Sequence, residues 1–209
     1  MPLFIFQFIG AQNHLKFKDE VVAIQKKYDT LPATLKETIV FTGSSSIRLW
    51  GNLPTLFPKY HIINSGFGGS VSNDLLFYTK ELILNYKPKK VFVYVGDNDI
   101  YNGIKTKEII INLLKIINQI KKQNANTQII LISAKPSIKR WHLKKKYQKL
   151  NRKQKQLTKK DPRLHYADVW SKMIDLKKLK IPLFSSDGLH MNTNGYDLWH
   201  ATIKEFINL

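Results

Sequence analysis

The chain has 209 residues, and 34 Lys or Arg against 15 Asp or Glu give it a formal charge of +19 at pH 7. This length suits a single domain with a buried core, and a hydrophobic content of 43% excludes a disordered polycation. Because the chain contains no cysteine, a disulfide framework, a thiolate nucleophile and a cysteine-based zinc site are excluded as well.

Residues 1–12 resemble a secretory signal, since a mostly apolar run is followed by the small residues Gly10 and Ala11. The pattern favours export to the periplasm or the medium, although no positively charged stretch precedes the run. The alternative is an apolar segment packed on a domain that stays in the cytoplasm. No apolar run reaches the roughly 20 residues of a transmembrane helix. Residues 13–209 are predicted to form one domain, beginning with an extra amphipathic helix over residues 15–28.

Five short runs of β-favouring residues follow in chain order. They cover residues 39–42, 60–64, 91–95, 128–133 and, as the weakest of the five, 164–168. Their low internal polarity is typical of strands that are covered on both faces, as in a parallel sheet.

Segments with helical spacing of apolar residues lie between these runs, the clearest over residues 75–83 and 109–120, and a further helix is predicted over residues 193–207. Alternating strands and helices with short connections imply right-handed crossovers. The predicted fold class is therefore α/β, with a doubly wound parallel sheet between two layers of helices.

Polar and glycine-rich clusters occur where the first three strands end and before the last helix. They are residues 43–46, 64–69, 96–99 and 187–190. Because an open α/β sheet places its ligand crevice at the carboxyl ends of its strands, we expect the four clusters to meet at one edge.

These clusters contain the groups that an ester hydrolase needs. A serine in a tight turn after a strand requires a base, which His190 would supply, while Asp187 would hold the other ring nitrogen. The N–H groups of Ser45 and Gly69 and the amide of Asn98 would stabilise a developing oxyanion. Each residue also has a structural alternative, as a helix cap, a turn or a buried histidine.

The four clusters contain, in chain order, Gly-x-Ser after the first strand, a glycine after the second, Gly-x-Asn-Asp after the third and Asp-x-x-His before the last helix. Together they resemble the four sequence blocks of the SGNH hydrolases, also called the GDSL lipase/esterase family. Residues 40–50 and 64–69 look most like bacterial members related to platelet-activating-factor acetylhydrolase. The resemblance extends from residue 39 to the C-terminus. It implies a flavodoxin-like three-layer α/β/α sandwich with a five-stranded parallel sheet in the order 2-1-3-4-5.

By position within these blocks, the resemblance implies that Ser45 is the nucleophile, His190 the base and Asp187 the acid. It also implies that Ser45, Gly69 and Asn98 provide the oxyanion hole.

The chain departs from the family pattern at Ser44, which replaces the aspartate of the GDSL motif. Because that aspartate is not a reacting group, the change affects turn geometry more than chemistry. Asp99 is interpreted as a support for the third block, and no His or Asp partner has the spacing of a metal site.

The activity that the resemblance implies is two-step hydrolysis of a carboxylic ester, which needs neither a metal nor an organic cofactor. About 170 residues in the matching region leave little room for a lid or an acyl tunnel. A short acyl or O-acetyl group on a small ester, an acetylated carbohydrate or a lysophospholipid-like molecule is therefore expected. Five apolar residues near the blocks would line a small pocket or belong to the core: Trp50, Phe67, Ile100, Tyr101 and Leu189.

An alternative function starts from the Lys-rich segment, residues 139–160, which carries eleven of the cations and no acid. Its apolar spacing predicts a surface helix with one packed and one solvated face. Only four of the 34 cations in the chain are arginine, which argues against nucleic-acid recognition. The alternative is thus a catalytically weak protein of the same fold that binds an anionic polymer or membrane surface through this segment.

Overall fold

The computed structural model describes residues 14–29 and 36–208, so the signal-like residues 1–12 lie outside the described residues. Its centre is a five-stranded sheet in the order β2-β1-β3-β4-β5, with every neighbouring pair parallel. The strands are β1 (Thr38–Gly43), β2 (His61–Gly66), β3 (Lys90–Tyr94), β4 (Gln128–Ile132) and β5 (Leu164–Ala167). The predicted α/β fold and the strand order 2-1-3-4-5 are confirmed.

One α-helix precedes the first strand, and the others connect the strands or follow the last of them. They are α1 (Lys18–Asp29), α2 (Ser45–Arg48), α3 (Leu53–Leu56), α4 (Ser72–Phe77), α5 (Thr79–Leu82), α6 (Asp97–Tyr101), α7 (Thr106–Gln123), α8 (Lys144–Thr158), α9 (Val169–Lys172) and α10 (Thr193–Ile203). A small antiparallel hairpin, β6 (Ile174–Asp175) and β7 (Lys178–Leu179), was not predicted. Within the described ranges, no helix combines the length and the apolar character needed to cross a bilayer.

The core lies in two layers because successive strand residues face opposite sides of the sheet. Val40 and Val91 pack beneath α1, α4, α5 and α7, whereas Phe41 and Phe92 pack beneath α2, α3, α9 and α10. The rings of Phe41 and Phe92 stack with centroids 4.3 Å apart. Both faces of the sheet are therefore covered, which leaves its carboxyl edge as the place where loops from different strands meet.

The strand order reverses at β1, because β1 pairs with β2 on one side and with β3 on the other. Gly43 ends β1 opposite Gly66 and Tyr94. The loops after β1, β2 and β3 consequently lie side by side at a topological switch point, where open α/β sheets bind their ligands.

Gly43 at this point has no room for a side chain. Its φ is +139°, and a Cβ would lie 2.1 Å from the carbonyl oxygen of Tyr94. Replacing it with alanine should lower the free energy of unfolding by about 3 kcal/mol, which corresponds to a fall in Tm of roughly 6–12 °C. Thermal denaturation followed by circular dichroism measures this change. Gly51→Ala is the matched control, because nothing lies within 4 Å of its Cβ position, and an equal loss there would contradict the explanation.

The Lys-rich segment is only partly a surface helix. Within it, α8 buries Tyr147 and Leu150 and exposes its lysines, as the apolar spacing predicts. Arg140 is different: it precedes α8, is buried and bonds to Asp97. One of the eleven cations therefore belongs to the interior, because a buried carboxylate neutralises it.

Candidate active site

Ser45 is the first residue of α2, directly after the turn that ends β1. Ser44 has extended backbone angles (φ −90°, ψ −162°) and occupies the N-cap position of α2. Ser44 and Ser46 are 5% and 2% exposed, whereas Ser45 is only partly buried. Ser45 is therefore the most accessible of the three consecutive serines.

His190 and Asp187 meet Ser45 from the other end of the chain. The Oγ of Ser45 lies 3.0 Å from Nε2 of His190, and Nδ1 of His190 lies 2.5 Å from Oδ2 of Asp187. The other Asp187 oxygen, Oδ1, accepts hydrogen bonds from the backbone N–H groups of Leu189 and His190, each 2.9 Å long. The carboxylate thus fixes both the loop and the orientation of the imidazole.

The same hydrogen bonds determine the ionisation of Asp187. Desolvation raises its pKa, but bonds from the N–H groups of Leu189 and His190 and from the His190 ring outweigh this effect and lower the pKa from 3.8 to about 2. Asp187 is therefore negatively charged at neutral pH, and it faces the ring nitrogen that would carry a proton.

A hydrogen bond connects the loop that carries Gly69 to α6, the helix that carries Asn98. Gly69 has φ of +74° and open space at its Cβ position. Nδ2 of Asn98 donates to the carbonyl oxygen of Ser70 at 3.0 Å, which joins the loop after β2 to α6 after β3. Since an amide nitrogen carries two hydrogens, one of them is left to interact with a substrate.

Asp99 connects the third cluster to α4, the helix that follows β2. Its Oδ1 accepts bonds from the N–H (2.9 Å) and the hydroxyl (2.5 Å) of Ser72, at the start of α4. Burial raises the pKa of Asp99. These contacts agree with its interpretation as a structural support.

Asp97 is the centre of a buried charged cluster that the sequence did not reveal. Its Oδ1 accepts bonds from Arg140 Nη1 (2.6 Å) and Tyr147 Oη (2.7 Å), and its Oδ2 accepts one from Tyr94 Oη (2.9 Å). Nζ of Lys135 lies 3.7 Å from Oδ2. Burial would raise the pKa of Asp97, but the charges of Lys135 and Arg140 lower it below its ordinary value.

This cluster contacts two of the predicted site segments. Arg140 Nη1 also donates to Oδ1 of Asn98 at 3.1 Å, and Lys135 Nζ donates to the carbonyl oxygen of Leu189, next to His190, at 2.6 Å. Lys135 lies just after the end of β4, in the same way that the first three clusters lie just after β1, β2 and β3. That position is the sequence signal that could have identified Lys135 as a site residue. Arg140 was interpreted only as part of the Lys-rich segment.

The N-terminal helix also reaches the site. The carboxylate of Glu20 in α1 accepts the backbone N–H of Gly68 at 3.0 and 3.2 Å from its two oxygens, and Oε1 accepts a bond from Arg48 Nη1 at 3.3 Å. Glu20 thereby connects the loop that carries Gly69 to α2, the helix that begins with Ser45.

The sequence left five apolar residues to either a pocket or the core, and three of them belong to the core. Trp50, Phe67 and Ile100 are 1%, 0% and 2% exposed. Tyr101 is 53% exposed, and its ring lies 4.3 Å from the guanidinium carbon of Arg140.

One family model matches most of the chain, and several solved structures share its fold. Residues 39–198 match the model of the GDSL-like lipase/acylhydrolase family. A GDSL-like lipase from Bacteroides thetaiotaomicron has a similar structure, with a TM-score of 0.76, 24% identity and coverage of 94% of this chain and 97% of that chain. An acetylxylan esterase from Geobacillus stearothermophilus is similar with a TM-score of 0.69 and 17% identity, over 83% and 94% of the two chains.

A curated relative provides a further similarity. An N-acylneuraminate cytidylyltransferase from Escherichia coli O18:K1:H7 is 29% identical over 154 residues, which cover 69% of this chain. The match spans only 34% of that relative, so the chain spans about a third of its length.

Proposed function

Because this chain belongs to the GDSL-like lipase/acylhydrolase family, we propose that it is a serine esterase that cleaves a short acyl or O-acetyl group from its substrate. The earlier resemblance to this family is confirmed. The observation that carries the proposal is the chain of contacts from Ser45 Oγ through the His190 ring to Asp187, at 3.0 and 2.5 Å. These distances are within hydrogen-bond reach of a nucleophile, its base and the group that orients the base.

In the first step, the Oγ of Ser45 attacks the ester carbonyl carbon while Nε2 of His190 takes the hydroxyl proton. The imidazolium that forms is stabilised by the ionised Asp187. The tetrahedral intermediate then collapses, its bond to the alkoxy oxygen breaks, and His190 gives its proton to the departing alcohol. An acyl-serine remains.

In the second step, water attacks the acyl carbon and His190 removes its proton. Collapse of the second tetrahedral intermediate releases the carboxylic acid, and His190 returns a proton to the Ser45 oxygen. The acid and alcohol together contain the atoms of the ester and one water.

The proposed oxyanion hole consists of the N–H groups of Ser45 and Gly69 and Nδ2 of Asn98. It is supported by the hydrogen bond from Asn98 to Ser70, which keeps the amide beside the Gly69 loop. Arg140 is proposed as a positioning residue. Its Nη1 donates to both Asp97 and the Asn98 oxygen, so the amide nitrogen of Asn98, and not its oxygen, is left to face the substrate.

Removing the Asn98 amide should lower kcat by about 10²–10³, the usual effect of deleting one oxyanion donor. Asn98→Ala is therefore expected to lower the kcat for p-nitrophenyl acetate by this factor, with little change in KM. Arg140→Lys, which keeps the positive charge near Asp97, should lower kcat less.

A double-mutant cycle separates positioning from general destabilisation. If Arg140 acts through Asn98, Arg140→Lys should lower kcat in the wild-type background and have almost no effect in the Asn98→Ala background. An equal loss of kcat in both backgrounds, with unchanged melting temperatures, would show that Arg140 acts elsewhere.

The proposed substrate is an O-acetylated carbohydrate. Two similar proteins are named for acylated sugars, acetylxylan in one and an N-acylneuraminate, a sugar acid, in the other. The formal charge of +19 favours a negatively charged sugar. A small acetyl group also suits a partly exposed Ser45.

The proposal is tested by labelling and by a substrate series. A fluorophosphonate should inactivate the protein with one equivalent bound at Ser45, as peptide mass spectrometry would determine. The kcat/KM for p-nitrophenyl esters should fall from acetate to decanoate, and only negatively charged acetylated sugars should lose kcat/KM as salt increases. Labelling at another residue would overturn the nucleophile assignment. A rate that rises with acyl length would instead favour a lysophospholipid-like ester.

A further inference from the structure

A groove lies beside the proposed active site, between α6, the start of α7 and α8. Its volume is about 640 Å³, within the approximately 300–1,000 Å³ of typical small-molecule sites. Isoleucines form its apolar surface, with Ile100 buried at 2% exposure and Ile104 and Ile110 half-buried against the cluster of Tyr147 and Leu150.

Lysines surround this apolar surface. They come from the start of α7 and from one face of α8, and they are Lys105, Lys107, Lys146, Lys149 and Lys153. The last three are spaced by three and four residues, so they lie on the same side of the helix. Five of the eleven lining residues are thus lysine, compared with 30 of the 209 residues in the chain.

These lysines carry uncompensated charge. In the described ranges none of the five forms an ion pair, and no acidic residue lines the groove. Like charges at this proximity repel one another, and an anion among them would relieve the repulsion. An alkyl chain that covers the exposed parts of Ile104, Ile110 and Ile111 would be stabilised by about 25 cal/mol for each Å² of apolar surface removed from water.

We propose that the groove binds a single-chain fatty carboxylate, with the carboxylate among the lysines and the alkyl chain along Ile104, Ile110 and Ile111. An apolar concavity with a cationic rim matches both parts of such a molecule. A flat membrane surface would require apolar residues that protrude, and a protein partner would require about 800 Å² of surface on each side. The concave shape and limited volume favour the small amphiphile.

The proposed groove is separate from the proposed catalytic groups. Neither Ser45 nor His190 lines it, although Ile100 belongs to α6, which also carries Asn98. Binding there does not require the esterase mechanism to be correct. A fatty carboxylate should therefore bind equally well to protein whose Ser45 has been blocked by a fluorophosphonate.

Isothermal titration with dodecanoate below its micelle concentration tests the proposal. Wild-type protein should bind one equivalent, and acetate and dodecyltrimethylammonium should not bind. The double variant Lys149→Glu/Lys153→Glu should lose at least ten-fold in affinity, and Ile111→Gln, which changes an exposed lining residue, should lose a smaller factor. The double variant should hydrolyse p-nitrophenyl acetate at the wild-type rate.

Lys155→Glu/Lys159→Glu is the matched control, because it changes the charge equally at exposed positions that do not line the groove. Unchanged affinity in this control would support the groove, whereas an equal loss would indicate diffuse attraction and overturn the proposal. Loss of binding after Ser45 is blocked would place the carboxylate in the active site and also overturn it. The proposal would also be overturned if the protein bound anionic vesicles but not dodecanoate, and if the Lys149 and Lys153 substitutions left that vesicle binding unchanged.

Discussion

Ser45→Ala should lower the kcat for p-nitrophenyl acetate by roughly four to six orders of magnitude. The substitution removes the atom that we propose attacks the ester and carries the acyl group, and no neighbouring group can replace it. Ser45 is only partly buried, and its hydroxyl contacts His190 at 3.0 Å. The fold should therefore persist, as circular dichroism and thermal melting would verify.

Ser44→Ala and Ser46→Ala provide matched controls in the same turn. Both serines are buried, and the Ser44 side chain makes no capping hydrogen bond to α2. Each variant is expected to retain most of the activity. A variant at Ser44 as inactive as Ser45→Ala, with a normal melting curve, would contradict the assignment of the nucleophile.

Asp187→Asn should lower kcat by about 10⁴, the typical effect of replacing the acid of such a triad by its amide. Because Oδ1 of Asp187 accepts the N–H groups of Leu189 and His190, the asparagine oxygen would keep those bonds and the loop would hold its shape. The amide nitrogen would then face Nδ1 of His190. A donor at that position forces the ring hydrogen onto Nε2, which can no longer accept the Ser45 proton.

Asp187→Ala distinguishes this tautomer effect from simple loss of charge, since alanine introduces no opposing donor. It should be more active than Asp187→Asn, provided that melting curves show an intact fold. Equal kcat values in the two variants would contradict the tautomer argument.

The pKa of Asp187, lowered to about 2 from an ordinary 3.8, limits the pH range in which this group can affect the protein. A lowered folded-state pKa means that the stabilising effect of the carboxylate is complete above about pH 4 and disappears as the pH falls toward 2. Activity lost between pH 8 and pH 5 would therefore arise from groups other than Asp187.

Local sequence patterns were sufficient to predict the sheet and the meeting of distant residues. Apolar runs that end in glycine indicated buried parallel strands, and the carboxyl ends of such strands lie at one edge. That geometry brings Ser45 and His190, 145 positions apart, into contact. The catalytic roles of these residues and of Asp187, Gly69 and Asn98 stay predictions.

The charged cluster around Asp97 could not be predicted in the same way. The position of Asp97 between Gly96 and Asn98 was visible. Of its partners, Lys135 comes from the loop after β4, and Arg140 comes from the Lys-rich segment, whose charge suggested solvent exposure. Net charge and its distribution along the chain do not distinguish a cation that pairs with a buried carboxylate from one that is exposed to solvent. The difference depends on tertiary contacts, here with Tyr94 and Tyr147 as well.

The contact between Glu20 and Gly68 shows that the N-terminal helix supports the proposed active site. The region shared with the family begins at residue 39, yet the carboxylate that holds the Gly68 loop lies nineteen positions earlier. A segment that precedes the matched region thus holds a loop of the proposed active site. Grafting residues 39–198 alone onto another protein would transfer the proposed catalytic residues without this anchor for the Gly68 loop.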